Sequence, residues 1–73
     1  MTQREKDLQN LFNMRHGDEL YLNWFEEGGG TVCKVYDVWV LFESPQYGGE
    51  DRYEKTFLKH QLDDLLDIVY SWT

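Results

Sequence analysis

Apolar residues recur three or four positions apart at both ends of the chain, which is the spacing of an amphipathic helix. Near the N-terminus this stripe consists of Leu8, Leu11 and Phe12. Thr2 and Glu5 have the capping-box spacing that begins a helix, and Gly17 suits the left-handed position after a helix ends. In residues 59–72 a fuller stripe consists of Leu62, Leu65, Leu66, Val69 and Trp72. The pattern therefore predicts one helix at each end of the chain.

Between these helices apolar and polar residues alternate, which is typical of β-strands. Residues 18–27 and 51–58 each predict one strand, and residues 31–43 form a run that is long for a small domain. One interpretation is a single bent or bulged strand, with the bulge at Asp37. It places two sets of side chains on opposite faces: Cys33, Val35, Val38, Val40 and Phe42 on one, and Lys34, Tyr36, Trp39 and Leu41 on the other. The other interpretation divides the run near Tyr36 and Asp37. We prefer the single long strand.

Three consecutive glycines, Gly28 to Gly30, separate the first two β-rich runs and predict a hairpin connection. A phosphate-binding loop is a poor match, because a strand pattern follows the glycines and the Gly-Lys-Ser/Thr motif does not. The chain is therefore predicted to be a single α+β domain spanning residues 1–73. Its fold class is a small two-layer α-β-β-β-α domain, with a three-stranded antiparallel meander and two helices packed on one face.

The predicted sheet is apolar on both faces, whereas two helices suffice to cover only one of them. The pattern leaves open which face the helices cover, and one arrangement places them on the face of Leu20, Leu22 and Trp24. The opposite face then exposes large aromatic side chains, which are typical of protein interfaces. The candidates for partner contact on that face are Tyr21, Phe25, Tyr36, Trp39 and Leu41.

Charge adds a second feature to this interface. The 73 residues include 14 acidic and 7 basic side chains, for a net charge of −7. Free nucleic acid and anionic membranes are therefore disfavoured as partners, because both attract basic surfaces. Most of the negative charge falls at predicted strand ends and loops, where it forms a candidate acidic rim that steers a basic partner. The candidate rim residues are Asp18, Glu19, Glu26, Glu27, Asp37, Glu43, Glu50, Asp51 and Glu54, and the last seven of these are the candidates for partner contact.

The sequence contains no motif for catalysis, metal binding or a cofactor, and we expect none of these activities. Cys33 is the sole cysteine and lies within a predicted strand, which favours a packed structural role. His16 and His60 stand alone, without the paired spacing of zinc ligands. A lone cysteine excludes an internal disulfide and fits a reducing, cytoplasmic compartment.

These features favour a small acidic protein-binding module that inhibits or modulates a larger protein by docking on a basic, nucleic-acid-binding surface. In size, charge and aromatic content the chain is similar to short acidic inhibitors made by phages and mobile elements, including nucleic-acid mimics and some anti-CRISPR proteins. The alternative is a homodimeric structural or adaptor protein, in which the exposed sheet face pairs with a second copy.

Overall fold

A computed structural model describes residues 1–25, 28–45 and 53–72, and for Phe25 it describes the backbone alone. Within these ranges the chain forms two α-helices, four strands and a 3₁₀ turn. In chain order they are α1 (Gln3–Phe12), β1 (Glu19–Phe25), β2 (Gly28–Val35), β3 (Val38–Pro45), β4 (Tyr53–Phe57), the 3₁₀ turn Lys59–Gln61 and α2 (Leu62–Tyr70). The strands form one antiparallel sheet in the order β1-β2-β3-β4. The predicted α+β class is confirmed, with four strands in place of three.

The additional strand arises because the long β-like run divides at Tyr36 and Asp37. Val35 pairs directly with Val38, so Tyr36 and Asp37 form the whole connection between β2 and β3. The preferred single strand was wrong, and the divided interpretation is confirmed. The predicted partition of side chains is also correct in β2 and β3, because Cys33 pairs with Val40 and Lys34 pairs with Trp39.

The glycine triplet lies inside β2, so its prediction as a hairpin connection was wrong. Gly30 pairs with Leu22 on one side and with Glu43 on the other. A Cβ at Gly30 would lie 3.3 Å from Cγ2 of Val69, on α2. The missing side chain at Gly30 therefore lets α2 approach the sheet closely.

The hydrophobic core lies between the helices and one face of the sheet. Its buried members are Leu11, Met14, Leu22, Val32, Trp39, Leu41, Phe57, Leu62, Leu65, Leu66 and Val69. Trp39 is 4% exposed and Leu41 is fully buried, so their prediction on the uncovered face was wrong. The register explains the error: Val32 pairs with both Leu20 and Leu41, and direct partners share a face.

A bulge near the end of β1 reverses the face of Trp24. The register shifts between Leu22 and Phe25, and Asn23 adopts a left-handed φ of 54°. Strict alternation placed Trp24 with Leu20 and Leu22 under the helices, and this prediction was wrong. An extra residue in one strand shifts the alternation, and Trp24 consequently contacts Tyr21 on the opposite face.

The first helix begins as predicted and ends earlier than expected. The side chain of Thr2 accepts a hydrogen bond from the backbone N–H of Glu5 at 3.1 Å, which confirms the N-terminal cap. The helix ends at Phe12, so Arg15 and His16 lie after the helix and not in its last turn. The indole Nε1 of Trp39 donates to the carbonyl oxygen of Leu11 at 2.8 Å, which satisfies one of the carbonyls at the helix end.

A polar seam joins the two helices. Asp7 of α1 is 7% exposed, and its carboxylate accepts hydrogen bonds from the hydroxyl of Tyr70 and from Nε2 of Gln3. Burial of the Tyr70 side chain, reinforced by the hydrogen bond to Asp7, raises the pKa of Tyr70 to about 12. Arg4 adds an ion pair with Asp67 at 2.7 Å. These contacts fix α1 beside α2, and both described helices lie on the same side of the sheet.

Candidate protein-binding face

The face of the sheet opposite the helices is the most distinctive surface of the molecule, and we call it the open face. Its side chains follow from the strand register and from the bulge in β1. They are Glu19, Tyr21, Trp24, Thr31, Cys33, Val35, Val38, Val40, Phe42, Glu54 and Thr56. Most of these positions are apolar, and no described helix packs on them.

Two cross-strand rows form the centre of the open face. The first row is Tyr21, Thr31, Phe42 and Glu54, and the second is Glu19, Cys33, Val40 and Thr56. Side chains directly opposite one another in an antiparallel pair have Cβ atoms about 5 Å apart. Each row thus has an apolar or weakly polar centre and one carboxylate at one end, which is Glu54 on β4 in the first row and Glu19 on β1 in the second.

Tyr21 and Trp24 form an aromatic pair at one corner of the open face, which we call the aromatic corner. Their ring centroids are 6.0 Å apart and the rings are nearly perpendicular, at 86°. Tyr21 is 64% exposed and Trp24 is 36% exposed. The pair therefore presents a large aromatic surface to solvent.

The backbone of β2 fixes the position of Trp24. Its indole Nε1 donates to the carbonyl oxygen of Gly30 at 2.9 Å. A Cβ at Gly29 would lie 2.7 Å from the Cα of Trp24 and 2.8 Å from its Cγ, so the indole occupies space that only glycine leaves free. Gly29 thus leaves space for the indole of Trp24, and the carbonyl of Gly30 accepts its hydrogen bond.

A carboxylate adjoins the aromatic corner. The hydroxyl of Tyr21 donates to Oε2 of Glu19 at 3.2 Å. This hydrogen bond, followed by the negative charge of Glu19, raises the pKa of the Tyr21 hydroxyl above its ordinary value of 10.0. Tyr21 consequently contacts an aromatic ring on one side and an anionic group on the other.

The described charges on the open face are all negative. Glu19 and Glu54 lie there, whereas the two lysines of β2 and β4 lie on the helix side of the sheet. Lys34 donates to the carbonyl of Met14 at 3.3 Å and lies 4.0 Å from the centre of the Trp39 ring. Lys55 lies 5.3 Å from the centre of the Phe57 ring. The described part of the open face is thus apolar and anionic.

The structure disperses the described members of the predicted acidic rim. Glu54 lies on the open face opposite Phe42, whereas Glu43 pairs with Gly30 and Tyr53 and belongs to the helix side. Asp37 lies in the turn at the other end of β3 and is exposed. Four further rim candidates lie outside the described residues, as does the side chain of Phe25; these four are Glu26, Glu27, Glu50 and Asp51.

The predicted aromatic contacts have mixed outcomes. Tyr21 lies on the open face, as expected, and Trp39 is buried in the core. Tyr36 is 74% exposed, but it lies in the β2–β3 turn, where its ring stacks on His16 at 4.2 Å between centroids. Trp24 was missed as an open-face residue, and Glu19, a member of the predicted rim, was not named as a partner contact. A signal for Glu19 was present, because strict alternation places it on the same face as Tyr21.

Comparison of the chain with protein-family models, with curated proteins and with solved structures finds no match. Within the described ranges, no group of three or more His, Cys, Asp or Glu side chains is placed to hold a metal ion, and no pocket forms. Neither described helix has the length and apolar composition that a membrane crossing requires.

Proposed function

We propose that this protein is a small binding module that docks through its open face onto a basic surface of a larger protein. The observation that supports this function is the combination found on that face. It has an apolar centre, two exposed aromatic side chains in fixed positions, and only negative charges among its described charged groups.

The apolar centre supplies a reason for docking. A sheet face whose exposed residues include contiguous valine and aromatic side chains loses unfavourable water contact when a partner covers it. Tyrosine and tryptophan are also enriched among the residues that dominate binding energy in protein interfaces. The aromatic corner is therefore the expected energetic centre of the interface.

Charge selects the kind of partner. The chain has a net charge of −7, and both described carboxylates of the open face lie on the edge strands, where they flank its apolar centre. A basic partner is attracted to such a surface and associates faster at low salt. A second copy of the chain would bring the same negative charges, so self-association through this face is disfavoured.

The basic surface that fits best is a nucleic-acid-binding groove, because such grooves combine positive charge with exposed apolar and aromatic groups. A module docked there competes with nucleic acid, and its biological effect is inhibition. This role is the one shared by short acidic inhibitors of phages and mobile elements.

Affinity capture from host lysate with matched variants tests the proposal. Val40→Lys places one positive charge at the centre of the open face. Gln9→Lys adds the same charge at an exposed position of α1, on the helix side. The captured partner is then purified, and its association rate with each variant is measured at increasing salt concentrations.

We expect wild type and Gln9→Lys to capture the same basic protein, Val40→Lys to lose it, and the association rate to fall steeply with salt. Nucleic acid added to the complex should compete for the partner. Equal capture by both lysine variants would reject the open face as the docking surface. A homodimer detected by light scattering, and abolished by Val40→Lys, would instead favour the self-associating adaptor.

A further inference from the structure

We propose that the aromatic corner of the open face receives an arginine side chain of the partner, with Glu19 as its counter-charge. This inference rests on the proposed function and specifies the chemistry of its central contact. It follows from three observations: the fixed aromatic pair, the adjoining carboxylate, and the distribution of the chain's own cations.

The aromatic pair is preorganised for a planar cation. Perpendicular rings 6.0 Å apart leave ring surface accessible to solvent, as the exposed fractions of Tyr21 and Trp24 show. The hydrogen bond from Trp24 to Gly30 holds the indole in place before a partner arrives. Binding therefore requires little ordering of these side chains, which removes a usual cost of association.

Glu19 supplies the anionic half of the site. Its carboxylate lies within hydrogen-bond distance of the Tyr21 hydroxyl, beside the aromatic corner. A guanidinium group stacks on aromatic rings through its face and donates hydrogen bonds to carboxylates through its edge. Both interactions are available at this corner, because Tyr21 contacts Trp24 and Glu19 at once.

The chain's own described cations are engaged with other rings. Lys34 lies over Trp39, Lys55 over Phe57, and Lys59 over Phe12 at 5.8 Å. No described cation of this chain lies over Tyr21 or Trp24. None of the cations in residues 1–25, 28–45 and 53–72 competes for these ring faces, and the net negative charge of the chain attracts a cation from a partner.

Arginine is favoured over lysine by the geometry of the site. The lysine ammonium group is compact and strongly hydrated, so it loses more solvation on contact with a ring and cannot stack as a plane. Cation–π contact at an exposed tryptophan changes binding by a factor of about two to five. The corner should thus distinguish two peptides of equal charge.

The test compares hexa-arginine with hexa-lysine as probes, titrated into isotopically labelled protein at low salt and followed by NMR. We expect hexa-arginine to bind about two- to five-fold more tightly, with its largest shifts at the indole Nε1–H of Trp24. The buried Trp39 indole is the internal control. Tyr21→Leu, which leaves Trp24 in place, should lower the ratio of affinities toward one, and Glu19→Gln should weaken both peptides.

The outcomes separate this inference from the proposed function. Equal affinity for the two peptides, or a preference for arginine that is undiminished in Tyr21→Leu, overturns the arginine site and leaves docking by the open face standing. Absence of binding by both peptides, together with capture unaffected by Val40→Lys, overturns both. Trp24→Leu is a second variant, and Tyr21→Leu keeps the test decisive if that variant does not fold.

Discussion

The side-chain Nδ2 of Asn23 donates a hydrogen bond to the carbonyl oxygen of Val69 at 3.1 Å. Asn23 lies at the bulge of β1 with a φ of 54°, and Val69 lies in the last turn of α2. Asparagine tolerates this left-handed conformation better than most residues do. The hydrogen bond therefore couples the end of a core helix to the backbone reversal that places Trp24 on the open face.

Two substitutions of Asn23 separate the contribution of its side-chain hydrogen bond from that of its left-handed backbone conformation. We expect Asn23→Ala to lower the free energy of unfolding by about 2 kcal/mol, because it loses the hydrogen bond and strains the backbone. Asn23→Gly keeps the left-handed conformation accessible and should cost about 1 kcal/mol less. Urea denaturation followed by circular dichroism measures both. Equal losses in the two variants would show that the left-handed backbone conformation contributes nothing to the difference in the free energy of unfolding.

We expect any side chain at Gly29 to destabilise the protein, because the backbone of Gly29 lies close against that of Trp24. A Cβ at this position would lie 2.7 Å from the Cα of Trp24, so Gly29→Ala forces one strand to move. We expect a loss of about 1–3 kcal/mol in stability and a shifted indole signal of Trp24 in the NMR spectrum. Gly17→Ala is the matched control: its φ is 93° and a Cβ there meets nothing within 4 Å. It should cost about 1 kcal/mol and leave the Trp24 signal unchanged.

The contact between Trp39 and Leu11 predicts a large effect of a small substitution. Trp39→Phe removes the indole donor and leaves the Leu11 carbonyl with the longer hydrogen bond from the N–H of Met14, at 3.3 Å. We expect a loss of about 2 kcal/mol in the free energy of unfolding, measured by urea denaturation. Trp72, which is only partly buried, provides the control, and Trp72→Phe should cost less than about 1 kcal/mol. A similar loss in both variants would contradict the special role of the Trp39 hydrogen bond.

The seam between the helices predicts alkaline unfolding. The pKa of Tyr70 is raised from 10.0 to about 12 in the folded protein, first by burial of its side chain and then by its hydrogen bond to Asp7. A raised pKa means that the folded state favours the protonated hydroxyl. Its contribution to stability is complete below pH 10 and is lost as the pH rises toward about 12.

Comparison with Tyr70→Phe isolates this contribution. Urea denaturation at several pH values should show that wild type loses more stability than Tyr70→Phe between about pH 10 and 12. Tyr36→Phe, at an exposed tyrosine of the β2–β3 turn, should follow wild type over the same range. Parallel curves for wild type and Tyr70→Phe would show that Tyr70 is not the group responsible.

Periodicity predicts the helices and most of the strand positions correctly, because both patterns are local. It also divides the side chains of β2 and β3 correctly between two faces. The sequence of these strands does not determine which face is buried, because Val40 and Phe42 on one face are as apolar as Leu41 and Trp39 on the other. The register with β1 decides it, because Leu20, Val32 and Leu41 share a face.

The turn at Tyr36 and Asp37 illustrates a second limit of the sequence. Asp37 is of a type common in turns, but the positive φ falls on Tyr36, an aromatic residue that rarely adopts it. Tyr36 adopts a φ of 52°, and its backbone N–H donates to Nδ1 of His16 at 3.0 Å. A residue twenty positions away thus stabilises the turn, and no local pattern indicates such support.

The candidate site was predicted in kind and misassigned in detail. A sheet face with aromatic side chains, on which no described helix packs, follows from the excess of apolar side chains over helices, and Tyr21 was assigned to it correctly. Trp24 was assigned to the wrong face because the bulge at Asn23 leaves no signature in composition. Glu43 and Glu54 were grouped by proximity in the chain, whereas the strands place them on opposite faces.

The three tryptophans occupy three different environments: Trp39 in the core, Trp72 packed at its margin, and Trp24 on the open face. Intrinsic fluorescence therefore provides two separate signals without any attached dye. Emission from Trp39 follows unfolding, because its surroundings change only when the core opens. Emission from Trp24 follows occupancy of the open face, so a single-tryptophan variant that retains Trp24 would report partner binding in real time.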